Sequence, residues 1–277
     1  MKRKDGVMKL KHNFKWNKYL AAGLVMTGIA VLLGILGFFW TPYSTTAMNA
    51  AEKFSPPSLR HIFGTDNFGR DIFSRVMQGL GTSIVISSLV VLISGAAGIV
   101  IGALTGYIGG ILDEVVMRIT DAVNGFPSIL LTLVIISILG NGKQNVIISM
   151  GIVFIPSYVR IVRSEYLRLR DADYIRRARL MGVSRFRILF VHILPNIFSV
   201  FWVSVMIGFN NAILAESGMS YLGIGVQPPD ASLGKMLSDA QGYLQRAPWY
   251  ALAPGLTIVW LVLGFSLFSE GIRRKEE

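Results

Sequence analysis

The sequence has no cysteine, so neither a disulfide framework nor a thiolate metal site can form. Histidine is scarce: His12, His61 and His192 are far apart along the chain and make no spaced ligand set. Charge is thin as well. Asp, Glu, Lys and Arg make up 16% of the 277 residues, against about 25% in an ordinary soluble domain, too few to clothe a soluble fold of this length. No Gly-rich phosphate loop with its Lys and Ser or Thr is present. HExxH helices, Cys clusters and nucleophile elbows are missing too. The chain is therefore expected to be no enzyme, to bind no cofactor or metal, and to leave any ATP chemistry to other subunits. No internal repeat is visible, which removes the usual sequence support for an inverted-repeat secondary transporter.

What is abundant is apolar sequence: 52% of residues are hydrophobic. They gather in six blocks, approximately Tyr19–Trp40, Ser83–Tyr107, Val115–Leu139, Val146–Ile161, Ile197–Leu214 and Tyr250–Phe268. Each is near the ~20 residues that a helix needs to cross ~30 Å of hydrocarbon. The fourth is the weakest, because Pro156 interrupts it and Arg160 follows closely. The expected fold class is all-α, a polytopic membrane protein of six transmembrane helices.

The formal net charge is +11, an excess that can signal nucleic acid. Here the basic residues occupy short segments between apolar blocks, and topology explains them better; no nucleic-acid partner is expected. The segment before the first block, the stretch between the fourth and fifth, the C-terminus and Arg118 hold 20 of the 27 Lys and Arg. By the positive-inside rule these segments are cytoplasmic. Both termini then face the cytoplasm, which an even number of spans requires. A cleaved signal peptide is the alternative at the N-terminus, but the first block exceeds the ~7–15 residues of a signal h-region, and an uncleaved anchor fits better. The organisation reads as a cytoplasmic segment 1–18, a first helix 19–40, an extracytoplasmic segment 41–81, a five-helix core 82–269 and a cytoplasmic tail 270–277. In the second outer segment, between the fifth and sixth blocks, Leu237–Leu244 could form a short amphipathic helix.

The stretch from Arg163 to Asn196 is the most informative. Tyr166–Met181 reads as a helix with many Arg and Leu, and Gly182 ends or bends it, being the residue most easily placed at positive φ. Ser184 is a candidate N-cap for a second amphipathic stretch, and Pro195 marks a break or kink before the fifth span. A helix projecting from the membrane and fixed at both ends can pass a rigid-body movement from a soluble partner to the bilayer helices. The plainer reading is a solvated basic loop.

This stretch resembles the cytoplasmic loop of binding-protein-dependent ABC importer permeases. Its pattern there is Glu-Ala-Ala, three residues, Gly, and a later Leu-Pro; here it reads Arg176, Arg177, Ala178, then Gly182, Leu194 and Pro195, with Arg replacing the acid and one alanine. Three further blocks resemble the dipeptide, oligopeptide and nickel branch. They are HIFGTDNFGRDIFS with Gly64, Thr65, Asp66, Gly69, Arg70 and Asp71, GYIGGILDEVVMRITDAVNGFP with Asp113, Arg118, Asp121 and Pro127, and ILAESGMSYLGIGVQPP with Glu216. Order and spacing are similar to those of the shorter permease partner. The resemblance implies a type I ABC importer permease fold in a bacterial cytoplasmic membrane. It implies a homologous permease subunit, two ATPase subunits carrying ATP and Mg, and an extracytoplasmic substrate-binding protein. Di- or oligopeptides are the first substrate choice, and nickel or a nickel chelate the second. It also implies that Asp173, Arg176, Arg177, Ala178 and Gly182 form the coupling element, and that the Gly64–Asp71 motif lies at the outer face near substrate delivery.

From the residues themselves, Asp66, Arg70 and Asp71 can pair within their loop, and a self-satisfied loop is the plainer reading of that motif. Glu114, Arg118 and Asp121 share a helix face, where Arg118 can pair with both acids and the cluster should point inward. Asn210, Asn211 and Glu216, in the outer half of the fifth span, should face the partner permease or the pore. Ser94, Gly98, Gly102 and Gly106 line one face of the second span; they either serve helix packing alone or border the pathway. His192 reads as a hydrogen-bonded histidine rather than a ligand. Rivals from other classes are a stand-alone secondary transporter and a membrane-embedded enzyme.

Overall fold

The computed structural model describes residues 17–276. Lys2, Arg3, Lys4, Lys9, Lys11 and Lys15 of the basic N-terminal segment, His12 and Glu277 lie outside the described residues. Hydrocarbon offers backbone groups no hydrogen-bond partner, so a spanning segment must satisfy them internally, as a helix does. The described residues form helices and loops, with one isolated bridge between Thr65 and Asp71.

Helix α1 is Lys18–Phe39, entered through Asn17, whose side chain accepts the Tyr19 amide at 3.2 Å. Helix α2 is Ile72–Ile108, 37 residues long, and ends at Gly109 with φ +70. It starts well before the apolar block at Ser83. The reason is local: the Asp71 side chain accepts the Ser74 amide at 2.8 Å, an N-cap that starts the helix inside the outer segment.

The third apolar block is not one helix. It divides into α3, Gly110–Asn124, and α4, Ser128–Leu139, bent by 92°. Pro127 disfavours helical geometry at the residue before it, and the Gly125–Phe126 pair absorbs the turn. Helix α5, Lys143–Leu169, extends past the fourth block at both ends, with Pro156 inside it. Arg170–Ala172 then break the chain, so the helix read at Tyr166–Met181 is two pieces, the end of α5 and α6, Asp173–Leu180. One turn at Arg185–Arg187 (α7) leads through a π-helical segment, Ile188–Ile193, into α8, Leu194–Tyr221. Pro195 does not break this element. It falls in the first turn of α8, where the missing amide is best tolerated, and the Asn196 side chain donates to the His192 carbonyl at 2.6 Å. Helix α9, Leu233–Ala240, followed by a short 3₁₀ turn, begins earlier than the amphipathic stretch read at Leu237–Leu244. Helix α10 is Pro248–Glu276.

Among the described residues five elements are long and apolar enough to span a bilayer, and the α3–α4 pair is a sixth if it counts as one. Contacts decide that it does. At its start Asp113 makes a two-pronged pair with Arg163 at the end of α5. Just past its finish, Lys143 pairs with Asp230 at 2.8 Å, beside the α8–α9 loop. The pair thus runs from one end of the bundle to the other. One end, the platform, gathers residues 41–71 and 222–247: Phe54 packs on Tyr243 (4.9 Å) and Asn67 accepts from the Tyr250 hydroxyl at 3.2 Å. The opposite end carries the 170–193 hairpin, the start of α1 and the end of α10, with Arg274 over the Tyr19 ring at 4.5 Å.

Helices in lipid associate by close packing rather than by hydrophobic expulsion, so small residues mark the seams. A Cβ at Gly98 would stand 2.3 Å from Tyr158 Cβ, one at Gly102 2.8 Å from the Val159 carbonyl oxygen, and one at Gly106 2.7 Å from Tyr166 Cβ. The glycine stripe therefore sets α2 against α5. Gly23, Gly264 and Gly271 do the same for α1 and α10. Replacing Gly98 by Ala should lower the thermal unfolding midpoint of the detergent-purified protein by roughly 5 °C, from about 1–3 kcal/mol of overpacking. Gly28→Ala, where nothing lies within 4 Å, should leave it unchanged.

Candidate functional site

Three regions collect the residues singled out from sequence. The first is the hairpin. On α6, Ile175 and Ala178, one turn apart, are buried, while Tyr174, Arg176, Arg177 and Leu180 are exposed. Asp173 sits in the first turn and Arg177 and Arg179 in the last, the signs that the helix dipole favours at each end. The helix stops in a Schellman turn: Val183 N donates to the Ala178 carbonyl (3.1 Å) and Gly182 N to that of Arg179 (3.0 Å), with Gly182 at φ +76. Ser184 then accepts the Arg187 amide at 3.4 Å, and the Tyr166 hydroxyl donates to the Leu189 carbonyl at 3.0 Å. The hairpin is thus fastened to α5 and to the root of α8. Ala178 faces the chain's own interior and Arg176 and Arg177 face outward. No carboxylate among the described residues pairs with Arg176, Arg177, Arg179, Arg185 or Arg187.

The second region is the platform motif. Asp66 is fully enclosed and accepts four bonds or charges: the Phe68 amide at 2.8 Å, the Arg70 amide at 2.9 Å, Arg70 Nε at 2.6 Å and, at 3.8 Å, Arg75 Nε. Arg75, absent from the sequence reading, also donates to the Thr45 carbonyl at 2.9 Å. Asp71 does not join Asp66 and Arg70; it caps α2 and holds His61 Nδ1 at 2.9 Å. Thr65 bonds the Glu52 carbonyl and accepts the Ser55 amide at 2.8 Å. Gly64 and Gly69 take φ of +73 and +74, and a Cβ at Gly69 would stand 1.9 Å from the Asn49 carbonyl oxygen. The turn closes only with glycine there.

The third region is a cleft of about 380 Å³ between the α3–α4 bend, α5 and α8. Of the three pore candidates only Asn211 lines it. Asn210 donates to Ser266 on α10 at 3.0 Å. Glu216 is completely buried and accepts from Ser83 (2.6 Å), Ser220 (2.8 Å) and Ser232 (3.1 Å), tying α2, α8 and the entry to α9 together. Asn124, Ser128, Ser157, Tyr158 and Ser204 complete the polar lining. They are missed in sequence because each looks like an isolated polar residue in an apolar run; the Gly125–Pro127 break, which opens the cleft, was the available signal. The Glu114 cluster differs from expectation. Arg118 pairs with Glu114 alone at 2.6 Å, Asp121 is taken by Arg160 at 2.6 Å, and the group is exposed in this chain.

Residues 98–275, from the middle of α2 to the C-terminal helix, match the model of the family described as binding-protein-dependent transport system inner membrane component. The chain belongs to that family. A permease of this family is a multi-pass inner-membrane component of an ABC transporter, distinct from the ATPase. Similarity to individual permeases extends further, over nearly the whole chain. The chain is 37% identical to the dipeptide transport system permease protein DppC of Haemophilus influenzae, covering 94% of this chain and 90% of that protein. It is 39% identical to DppC of Alkalihalophilus pseudofirmus, over 94% and 85%, and 36% identical to the glutathione transport system permease protein GsiD of Pectobacterium atrosepticum, over 93% and 88%. These alignments take in the platform as well as the hairpin of this permease.

Breaking a buried pair from one side leaves an uncompensated charge. Asp66→Asn should therefore destabilise the purified permease by about 3–5 kcal/mol, read as a loss of folded protein on heating. Glu114→Gln, at an exposed pair, should change stability by no more than about 1 kcal/mol.

Proposed function

We propose that the chain is one of two homologous permease subunits of an ATP-driven importer of short peptides, enclosing half of the translocation pathway. The near full-length similarity to permeases named for dipeptide transport carries this reading. Peptides are preferred to nickel because the similar permeases cited are named for dipeptide and glutathione systems. The basic hairpin and both termini would face the cytoplasm, and the platform the extracytoplasmic side, as the distribution of Lys and Arg favours.

In this arrangement two ATPase subunits, which bind ATP and Mg, dock below, and α6 is the docking element. Arg176 and Arg177 would meet an acidic groove. Asp173 and Gly182 would delimit the helix, and Ala178 would seat it against the permease. An extracytoplasmic binding protein would deliver substrate at the platform, whose Gly64, Thr65, Asp66, Gly69, Arg70 and Asp71 build a rigid surface. Closure of the ATPase pair would shift the hairpin, and α5 and α8 would follow because Tyr166 and the π segment bind it to both. The polar cleft with Asn211 is the natural half-pathway; Asn210 and Glu216 would hold its walls. The chain would divide as segment 1–18, helix 19–40, outer segment 41–81, core 82–269 with the loop 163–196, and tail 270–277.

The test is charge reversal on the assembled transporter. Arg177→Glu should weaken ATPase co-purification by roughly thirtyfold or more, since like-charge contacts at an interface cost at least about 2 kcal/mol, and should abolish uptake of labelled dipeptide. Arg168→Glu, at a residue already paired with Glu165, should leave assembly intact. Unchanged assembly with Arg177→Glu, or peptide uptake in cells lacking the ATPases, overturns the proposal; uptake of nickel and not dipeptide overturns the substrate alone.

A further inference from the structure

Where the last turns of α2 meet the root of α8, two hollows adjoin. One, of about 400 Å³, is walled by Val100, Leu104, Leu189 and Phe190. The other, of about 380 Å³, is polar and contains Arg179. Tyr107, Ile108 and Arg185 line both, so the pair forms one composite groove, apolar toward Val100 and cationic toward Arg179. Phe186, exposed and packed on Phe190 at 4.8 Å, flanks the apolar part.

The cations in it lack counter-charges. Arg179 lies over the Tyr107 ring at 5.0 Å, donates to its hydroxyl at 3.3 Å and to the Arg170 carbonyl at 3.0 Å, yet meets no carboxylate among the described residues. Arg185 makes neither a side-chain hydrogen bond nor an ion pair among them. Two such guanidiniums beside an apolar trough suit a molecule with an anionic head and a hydrocarbon tail. Free phosphate would leave the trough unfilled, and a zwitterionic headgroup would find no acid, since neither hollow is lined by Asp or Glu. Basic pockets between membrane helices are suited to anionic headgroups, because phosphate oxygens match the guanidinium fork.

We propose that this groove binds one anionic phospholipid, its phosphate on Arg179 and Arg185 and an acyl chain along Val100, Leu104, Leu189 and Phe190. The lipid would bridge α2 and the hairpin turn, which otherwise touch little there. Placing it in the inner leaflet rests on the orientation proposed above; the preference for an anionic lipid does not.

The assembled transporter, exchanged into nanodiscs holding phosphatidylglycerol and phosphatidylcholine, should retain phosphatidylglycerol preferentially in native mass spectra. Arg185→Gln should cut that preference about fivefold and the Arg179→Gln, Arg185→Gln double variant further, by roughly tenfold or more. Arg168→Gln should not change it. Arg185 holds no internal bond, so its single variant decides the matter if the double variant fails to assemble. Equal retention of both lipids by the wild type, or an unaltered preference in Arg185→Gln, overturns the proposal. So does displacement of phosphatidylglycerol by excess inorganic phosphate, which marks a plain anion site. A photo-cross-linker at Phe186 reaching a protein subunit instead of phospholipid overturns it too.

Discussion

The close approach of α2 and α5 is the constraint on which the other features hang. Lipid provides no expulsion force to press helices together, so contact must come from backbones near enough for dispersion to act along their length. Gly98, Gly102 and Gly106 supply that nearness against Tyr158, Val159 and Tyr166. Two tyrosines are thereby fixed on α5: Tyr158 reaches the cleft, and Tyr166 reaches the Leu189 carbonyl at the hairpin root. At the far end of α2, Asp71 both caps the helix and holds His61 of the platform. A helix of 37 residues rises about 55 Å. One seam therefore connects the platform, the cleft and the hairpin.

The two ends of this seam are built differently. The platform is held by hydrogen-bonded charge: Asp66 alone engages two backbone amides and two arginines. Its glycines allow turns that side chains would close off. The hairpin is held by apolar anchors and main-chain bonds, Ile175 and Ala178 inward, the Schellman turn at Gly182 and the Tyr166 hydroxyl at its root. That leaves its charged face uncommitted. The α3–α4 pair contrasts with both, since its 92° bend lies over the cleft with much of its surface open in the single chain.

The spans and their connections were legible because a bilayer imposes length and apolarity on every crossing segment, and because Gly182 and Ser184 carry strong local signals for a helix end and a cap. Helix ends outside the hydrocarbon were less legible. The start of α2 is set by Asp71 within a polar segment, and the break at Arg170–Ala172 occurs in a run with no Gly or Pro to announce it. The α3–α4 bend was hidden in plain composition, since Gly125 and Pro127 read as interruptions of one span rather than as a right-angled turn. The destinations of Asn210, Asn211 and Glu216 were illegible for a simple geometric reason. Consecutive residues on a helix point about 100° apart, so two neighbours with the same side chain face different helices. Only the positions of Ser266 and of Ser83, Ser220 and Ser232, set by the tertiary packing, tell them apart.

The distribution of unpaired charge carries more than topology does. The positive-inside rule counts Lys and Arg near the membrane without regard to their partners. At the hairpin end of the bundle, Arg160, Arg163, Arg168 and Arg170 are each matched by an acid: Asp121, Asp113, Glu165 and Asp171. A few residues further, Arg176, Arg177, Arg179, Arg185 and Arg187 are followed by no such acids, and Asp173 is the single carboxylate of the 173–187 stretch. A rule concerned only with the sign of a loop would not separate these two groups. Three of the matched arginines lie on α5 and fasten it to α3 or to its own last turn, while Arg170, just past α5, pairs with its neighbour Asp171. The unmatched ones lie on the hairpin, where internal pairing would use up the face it presents. The fold thus neutralises cations where they must hold helices together and leaves them bare on the element that projects from the bundle.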